Sequence, residues 1–155
     1  MIDVPKERYD KCYSDGNYFE ELFKKKVLDL GHKFKESSSE DNWKRHIDCY
    51  VDGYGVDVKG NRHLKTIWLE LVNVKGNNGW LRGDAMYIAM HIKELDCFSI
   101  FYRKDLLQFV LQNVCDETTN KNDYLMFYTR EKWGKKDVVV KVEYDNIKHL
   151  EVKKI

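Results

Sequence analysis

The stretch His46-Ile47-Asp48-Cys49-Tyr50-Val51-Asp52-Gly53-Tyr54-Gly55-Val56-Asp57-Val58-Lys59-Gly60 decides how this chain is read. Apolar and polar residues alternate on both sides of Asp52-Gly53, and an Asp-Gly pair between two alternating runs is a strong signal for a tight β-hairpin. With Asp52 and Gly53 as the turn residues, Val51 faces Tyr54, Asp48 faces Asp57 and His46 faces Lys59. Alternation puts Asp48 and Asp57 on one face and Ile47, Cys49, Val56 and Val58 on the other. Directly opposed Cβ atoms stand about 4.5–5.5 Å apart, where like charges repel, and Asp is a poor strand former. Two facing aspartates need a reason. A divalent cation held by one or two carboxylates with water and phosphate oxygens supplies one, and a raised pKa on one Asp is another.

Outward from the hairpin, Lys59 shares the face of Asp57 about 6–7 Å further along the strand, where an ammonium can neutralise a phosphate or orient a water. Glu70 sits between Leu69 and Leu71 in the apolar strand Thr66–Val74. A buried unpaired Glu is costly, and convergence on the same cation as Asp48 and Asp57 would resolve that. On the N-terminal side, Asn17 can cap a helix whose apolar positions Phe19, Leu22, Phe23, Val27 and Leu30 have helical spacing, with Gly31 as its stop. Glu20 or Glu21 on that helix would face the acidic cluster. Taken singly, each acid reads as a solvated residue on an exposed face, and His46 as a surface imidazole or, alternatively, a phosphate contact. Together, on successive strands after a helix, the acids read as a metal cluster.

The rest of the chain supplies a polar loop at 36–42, strands at 43–51, 54–59 and 66–74, and a Gly-rich loop at 76–79. Residues 85–92 form a strand or a buried helix, followed by a strand at 97–102, a helix at 105–115, and a hairpin from 123–130 and 137–144. The class is α+β with a mixed sheet: an N-terminal helix, a three-stranded antiparallel meander, further strands, one helix and a C-terminal hairpin. The 155 residues suit one domain, 1–155, with a core over about 17–115 and a basic hairpin segment over about 123–155. Hydrophobic residues at 43% exclude wholesale disorder. No apolar run approaches the length of a membrane span and no signal-peptide core is visible, so the expectation is a soluble intracellular protein without a membrane partner. Cys12, Cys49, Cys97 and Cys115, widely spaced and without a CxxC pair, read as reduced thiols.

Net charge is +1, which leaves room for a local basic groove but not for a polycation. Residues 60–83 carry Arg62, Lys65, Lys75 and Arg82 against Glu70 alone, and Gly76-Asn77-Asn78-Gly79 would let backbone amides approach a phosphate. Arg62, Lys65, Lys75, Asn77 and Arg82 are therefore candidate nucleic-acid contacts. Eight basic against five acidic residues in 130–155 either track a nucleic-acid backbone or form a solvated face. Neither a Ser-His-Asp arrangement nor a Walker-type loop can be assembled.

Asp48, Asp57-Val58-Lys59-Gly60, Ile67-Trp68-Leu69-Glu70-Leu71-Val72-Asn73-Val74, Gly76-Asn77-Asn78-Gly79-Trp80-Leu81, Gly83 and Tyr87-Ile88-Ala89 together resemble the PD-(D/E)XK, restriction-endonuclease-like nuclease superfamily, including small nuclease-like proteins of large viruses and tailed phages. The resemblance covers about residues 40–105. It implies a restriction-endonuclease-like core and a Mg²⁺-dependent deoxyribonuclease, an endonuclease, with Mn²⁺ able to substitute. For a viral protein it implies a place in the host cytoplasm or nucleus. DNA would be the partner, with a homodimer as the way to reach both strands. Asp57, Lys59 and Glu70 would be catalytic, and Asp48, Asp57 and Glu70 would hold the metal. Two alignments stay open. Either Asp48 pairs with Asp57-x-Lys59, or Asp57 pairs with Glu70-Leu71-Val72, where Val72 replaces the family lysine and Lys59 or Lys75 would serve instead. The alternative is a non-catalytic nuclease-like module that binds nucleic acid or protein.

Overall fold

Charged residues with good helix propensity fill the N-terminal segment, and α1 (Lys6–Asp29) accordingly starts well before Asn17, which lies inside the helix rather than capping it. The computed structural model describes residues 6–61 and 63–155, with side chains from residue 16 onward except that of Lys132. α1 ends where Gly31 was expected to stop it. Gly31 takes φ +85°, its N–H donates to Leu28 O at 3.0 Å, and the His32 N–H donates to Val27 O at 3.0 Å. This left-handed closure satisfies carbonyls that the helix end leaves open.

Next come β1 (Phe34–Glu36), α2 (Ser39–Arg45), β2 (Cys49–Val51) and β3 (Tyr54–Lys59). The expected strand over 43–51 is thus largely replaced by a helix. Ser38 accepts the Asp41 N–H, Lys44 pairs with Glu40 at 3.1 Å, and Arg45 pairs with Asp41 at 3.1 Å. These local bonds carry a helix that buries none of its residues. The hairpin itself forms in the expected register, with Cys49 opposite Val56 and Val51 opposite Tyr54. Asp52 and Gly53 both have positive φ, 50° and 86°, as a tight hairpin turn requires.

The chain continues through β4 (Thr66–Val72), a 3₁₀ turn (Trp80–Arg82), β5 (Tyr87–Ile92), β6 (Cys97–Tyr102) and α3 (Arg103–Asn113). It closes with β7 (Glu117–Thr118), β8 (Phe127–Lys132), β9 (Lys135–Glu143), α4 (Tyr144–Ile147), a second 3₁₀ turn and β10 (Glu151–Lys154). Two sheets result, ordered β1-β2-β3-β5-β6-β10 and β4-β9-β8-β7. Neighbours are antiparallel except β3 with β5 and β7 with β8, which are parallel. The molecule is therefore α+β with mixed sheets. The meander is β1-β2-β3, not the expected 43–51, 54–59 and 66–74: β4 leaves for the second sheet and pairs with β9. The C-terminal segment is more than a hairpin, because β10 returns to pair with β6.

A core between the sheets joins Ile67, Leu69, Leu71, Val140 and Val142 to Ile88, Met90, Ile92 and Phe101, with Leu106 and Val110 of α3. On the opposite face of the larger sheet, Phe23 and Val27 of α1 pack on Cys49, Val56, Val58, Ala89 and Phe98. Ile47 joins the core between the sheets rather than the α1 side, because strand pairing stops at Cys49 and alternation fails beyond it. Among the described residues, no helix is long and apolar enough to cross a membrane.

Gly60, just after β3, packs against Phe19 of α1. A Cβ there would lie 2.0 Å from Phe19 Cδ2 and 2.7 Å from Phe19 Cγ. Gly60→Ala is expected to lower the urea unfolding free energy by about 1–3 kcal/mol, the usual range for overpacking. Gly16→Ala, with nothing within 4 Å of the added carbon, is expected to raise it by about 0.5–1 kcal/mol.

Candidate active site

β3 is an interior strand of the larger sheet, and Asp57 and Lys59 pair with Ile88 and Met90 of β5, which face the core between the sheets. Asp57 is 1% exposed, and neither of its carboxylate oxygens has a hydrogen-bond partner among the described residues. Lys59 Nζ lies 2.8 Å from Asp57 Oδ1, an ion pair whose direction falls short of a hydrogen bond. The Lys59 side chain keeps 30% exposure, and its ammonium sits 5.6 Å from the centre of the Trp80 ring. Burial pushes the Asp57 carboxyl well above the usual range, Lys59 pulls it back, and Asp48 adds to the rise. Burial opposes the charge on Lys59, yet Asp57 and Asp48 outweigh it and hold the ammonium above its ordinary value.

Asp48 stands just before β2 begins. Its N–H still donates to Val56 O at 2.9 Å, but the next ladder bond is made by its side chain, where Oδ2 accepts the Val58 N–H at 2.7 Å. Asn42 of α2 donates through Nδ2 to Asp48 Oδ1 at 2.8 Å. Asp48 and Asp57 are thus neighbours as the hairpin register implied, although they are not a ladder pair. Sequence reasoning missed Asn42 because 36–42 read as loop. The usable signal was Ser38-Ser39-Glu40-Asp41, a capping pattern with its acid three residues after the serine.

A cavity of about 460 Å³ opens between α1, β1 and α2, and Asp48 lines it with Glu20, Glu21 and Glu36. Lys24 is the basic residue on its wall and pairs with Glu36 at 3.5 Å. Glu21 is exposed, whereas Glu20 is half-buried. Burial first, then the charge of Asp48, raise the Glu20 carboxyl to about 7, against a smaller downward pull from Lys59. The helix carboxylate expected near the cluster is therefore Glu20. Asp57 does not line the cavity.

Other expected members lie elsewhere. Glu70 is on β4 in the second sheet, half-buried on the strand face opposite Leu69 and Leu71, and reaches Lys59 only through its charge. Gly79 packs over it: a Cβ there would lie 2.6 Å from Glu70 Cγ. The structure thus groups Asp48 with Asp57 and Lys59, and leaves Glu70-Leu71-Val72 on the other sheet. His46 takes a left-handed conformation (φ 54°) at the end of α2, and its Nε2 lies 3.0 Å from Asn78 O, so it does not face Lys59. Among the described residues, no three or more of His, Cys, Asp and Glu are disposed to hold a metal ion. Lys65 is directed at Asp145, 3.8 Å away. Arg82 is exposed on its 3₁₀ turn, and Arg62 lies outside the described residues. Lys75 and Asn77 line a second cavity, of about 630 Å³, beside α2. Much of the basic tail is paired locally: Arg130 with Asp137 at 2.7 Å, Lys148 with Asp145 at 3.4 Å, Lys154 with Glu151 at 3.3 Å.

A carboxyl whose folded pKa is raised keeps, between pH 4.5 and about 7, a proton that the unfolded chain has lost. Its contribution is fully present below pH 4.5 and is lost as pH rises through about 7. In EDTA, Glu20→Gln is therefore expected to gain stability relative to the wild type as pH climbs through this window, with a constant gap above it. Urea unfolding at pH 5, 6, 7 and 8 reads this directly, and a gap that does not change with pH refutes the assignment.

No family model, curated protein or solved structure matches this chain.

Proposed function

We propose that the chain is a divalent-metal-dependent nuclease, an endonuclease acting on the phosphodiester bonds of DNA, with Asp48, Asp57 and Lys59 at its centre. The observation that carries this reading is Asp57: a carboxylate 1% exposed, with both oxygens lacking hydrogen bonds among the described residues and an ammonium at 2.8 Å. Lys59 offsets only part of the cost of that burial, since the carboxyl stays well above its usual range, and the remainder has a use if the oxygens are donors to a cation. The donor set fits Mg²⁺ or Mn²⁺, which need only one or two protein carboxylates when phosphate and water complete the sphere. Asp57 and Asp48 would hold the ion, while Glu70 stands on the other sheet and acts on Lys59 through its charge.

When bound, Mg²⁺ supplies Lewis acidity toward a phosphate and lowers the pKa of water. The chain's own groups have distinct tasks. The Val58 N–H and the Asn42 amide fix both oxygens of Asp48, so its carboxylate needs no reorientation. Lys59, partly exposed beside Asp57, offers positive charge to a phosphoryl oxygen. Glu20, titrating at about 7, can take up or release a proton at neutral pH.

A non-catalytic nuclease-like module is the second reading. It is favoured by the position of Asp57 away from the cavity wall and by the lack of a ready three-ligand group among the described residues. Two measurements separate them. Supercoiled and linear DNA incubated with Mn²⁺ or Mg²⁺ should be nicked by the wild type, with Asp57→Asn and Lys59→Met each slower by about 100-fold, the cost of losing one charge-stabilising group. Calorimetric titration with Mn²⁺ should show binding that Asp57→Asn removes. Absence of both cleavage and Mn²⁺ binding would leave only the module.

A further inference from the structure

Trp43 is 72% exposed on α2, a helix with no buried residue, so its ring contributes little to holding the fold. Its position is specific, because Asn42 and Trp43 line both the cavity of about 460 Å³ that holds Asp48 and the second cavity of about 630 Å³. The two differ sharply in charge. Carboxylates dominate the first, whereas Lys44, Lys75 and asparagines of the 73–78 loop line the second and no carboxylate does. The Lys75 ammonium lies 5.9 Å from the centre of the Trp43 ring.

The loop that carries Lys75 is held in place. The Asn73 carboxamide oxygen accepts the N–H groups of Lys75 at 3.0 Å and Asn77 at 3.1 Å, and His46 of the α2 cap contacts Asn78 O at 3.0 Å. The loop backbone is therefore held beside α2, and the exposed Trp43 ring and Lys75 ammonium project from the two sides of the groove.

We propose that this second groove binds a single DNA strand, with one unpaired base stacked on Trp43 and the adjoining phosphates against Lys75 and Lys44. The strand then leads past Asn42 toward Asp48. A base face is free to stack on a protein ring only when the strand is unpaired, and such stacking tolerates any sequence. No carboxylate lines this groove, so Lys75 attracts the backbone, helped by Lys44, which also pairs with Glu40, with the salt dependence that counterion release imposes. The substrate class is single-stranded DNA or a duplex with a single-stranded segment. The path toward Asp48 rests on the nuclease reading, whereas the stacking contact is testable without it.

The test is fluorescence anisotropy in EDTA with fluorescein-labelled oligothymidine and a duplex of equal length. The wild type should bind the single strand more tightly than the duplex. Trp43→Ala should weaken single-strand binding by about tenfold, as for loss of one base stack, and leave duplex binding unchanged, while Trp43→Phe should retain most of the affinity. Lys75→Gln should weaken binding and flatten its salt dependence. Unchanged melting temperatures confirm that the variants fold. No single-strand binding, equal binding of the two DNA forms, or indifference to Trp43→Ala would each overturn the proposal. If Trp43-dependent binding appears but no variant or wild type cleaves DNA with Mn²⁺, the nuclease reading falls and this contact stands. If cleavage occurs and Trp43→Ala binds normally, this contact alone falls.

Discussion

An interior strand covered on both faces cannot carry a carboxylate without compensation, and β3 carries Asp57. α1 closes one side of that strand through Val56 and Val58, and the core between the sheets closes the other. Asp57 points into the second side, where water cannot solvate it. The charge of Lys59, two residues along the same strand, is the one favourable partner that periodicity itself provides. Everything else around the pair follows from that arrangement. β2 stops short so that the Asp48 carboxylate can cap the Val58 amide, α2 supplies Asn42 to hold that carboxylate, and α1 brings Glu20 into the same field.

Much of this was legible in the sequence because it is local. The Asp52-Gly53 turn sets the β2–β3 register, and the register alone brings Asp48 near Asp57 and sets Lys59 beside it. α2 was not legible by hydrophobic pattern, since it buries nothing; its signals are a cap and two charge pairs four residues apart. The path of β4 was illegible for a different reason. Its alternation is equally compatible with the sheet of β3 and with a second sheet, and only long-range pairing with β9 decides. The same alternation explains Glu70. Flanking leucines made it look buried at the centre of a strand, but they face inward, and Glu70 therefore faces the other way.

The region around α2 divides electrostatically. On one side, four carboxylates gather within a small concavity, an arrangement that repels a polyanion unless cations intervene. On the other, amides and ammonium groups offer what a phosphate backbone wants. One short helix separates the two regimes and supplies a side chain to each, Asn42 to the acid and Trp43 to the groove. Because α2 rests on capping and surface pairs rather than on a buried face, its stability is local, and polar contacts position it: Asn42 with Asp48, Asp41 with the Tyr50 hydroxyl, Arg45 with Asp84 and His46 with the 73–78 loop.

The two outermost strands of the larger sheet are short and charged. β1 is three residues long and carries Lys35 and Glu36, and β10 is four residues long and carries Glu151, Lys153 and Lys154. Unpaired edges are where neighbouring copies would otherwise add strand to strand. A second molecule added at either margin would gain only a few main-chain bonds and would have to place its strand beside charged side chains. Growth of one continuous sheet through many copies, the first step toward fibres, is thereby discouraged at both ends. Self-association through this sheet would have to use its faces or the helices that cover them.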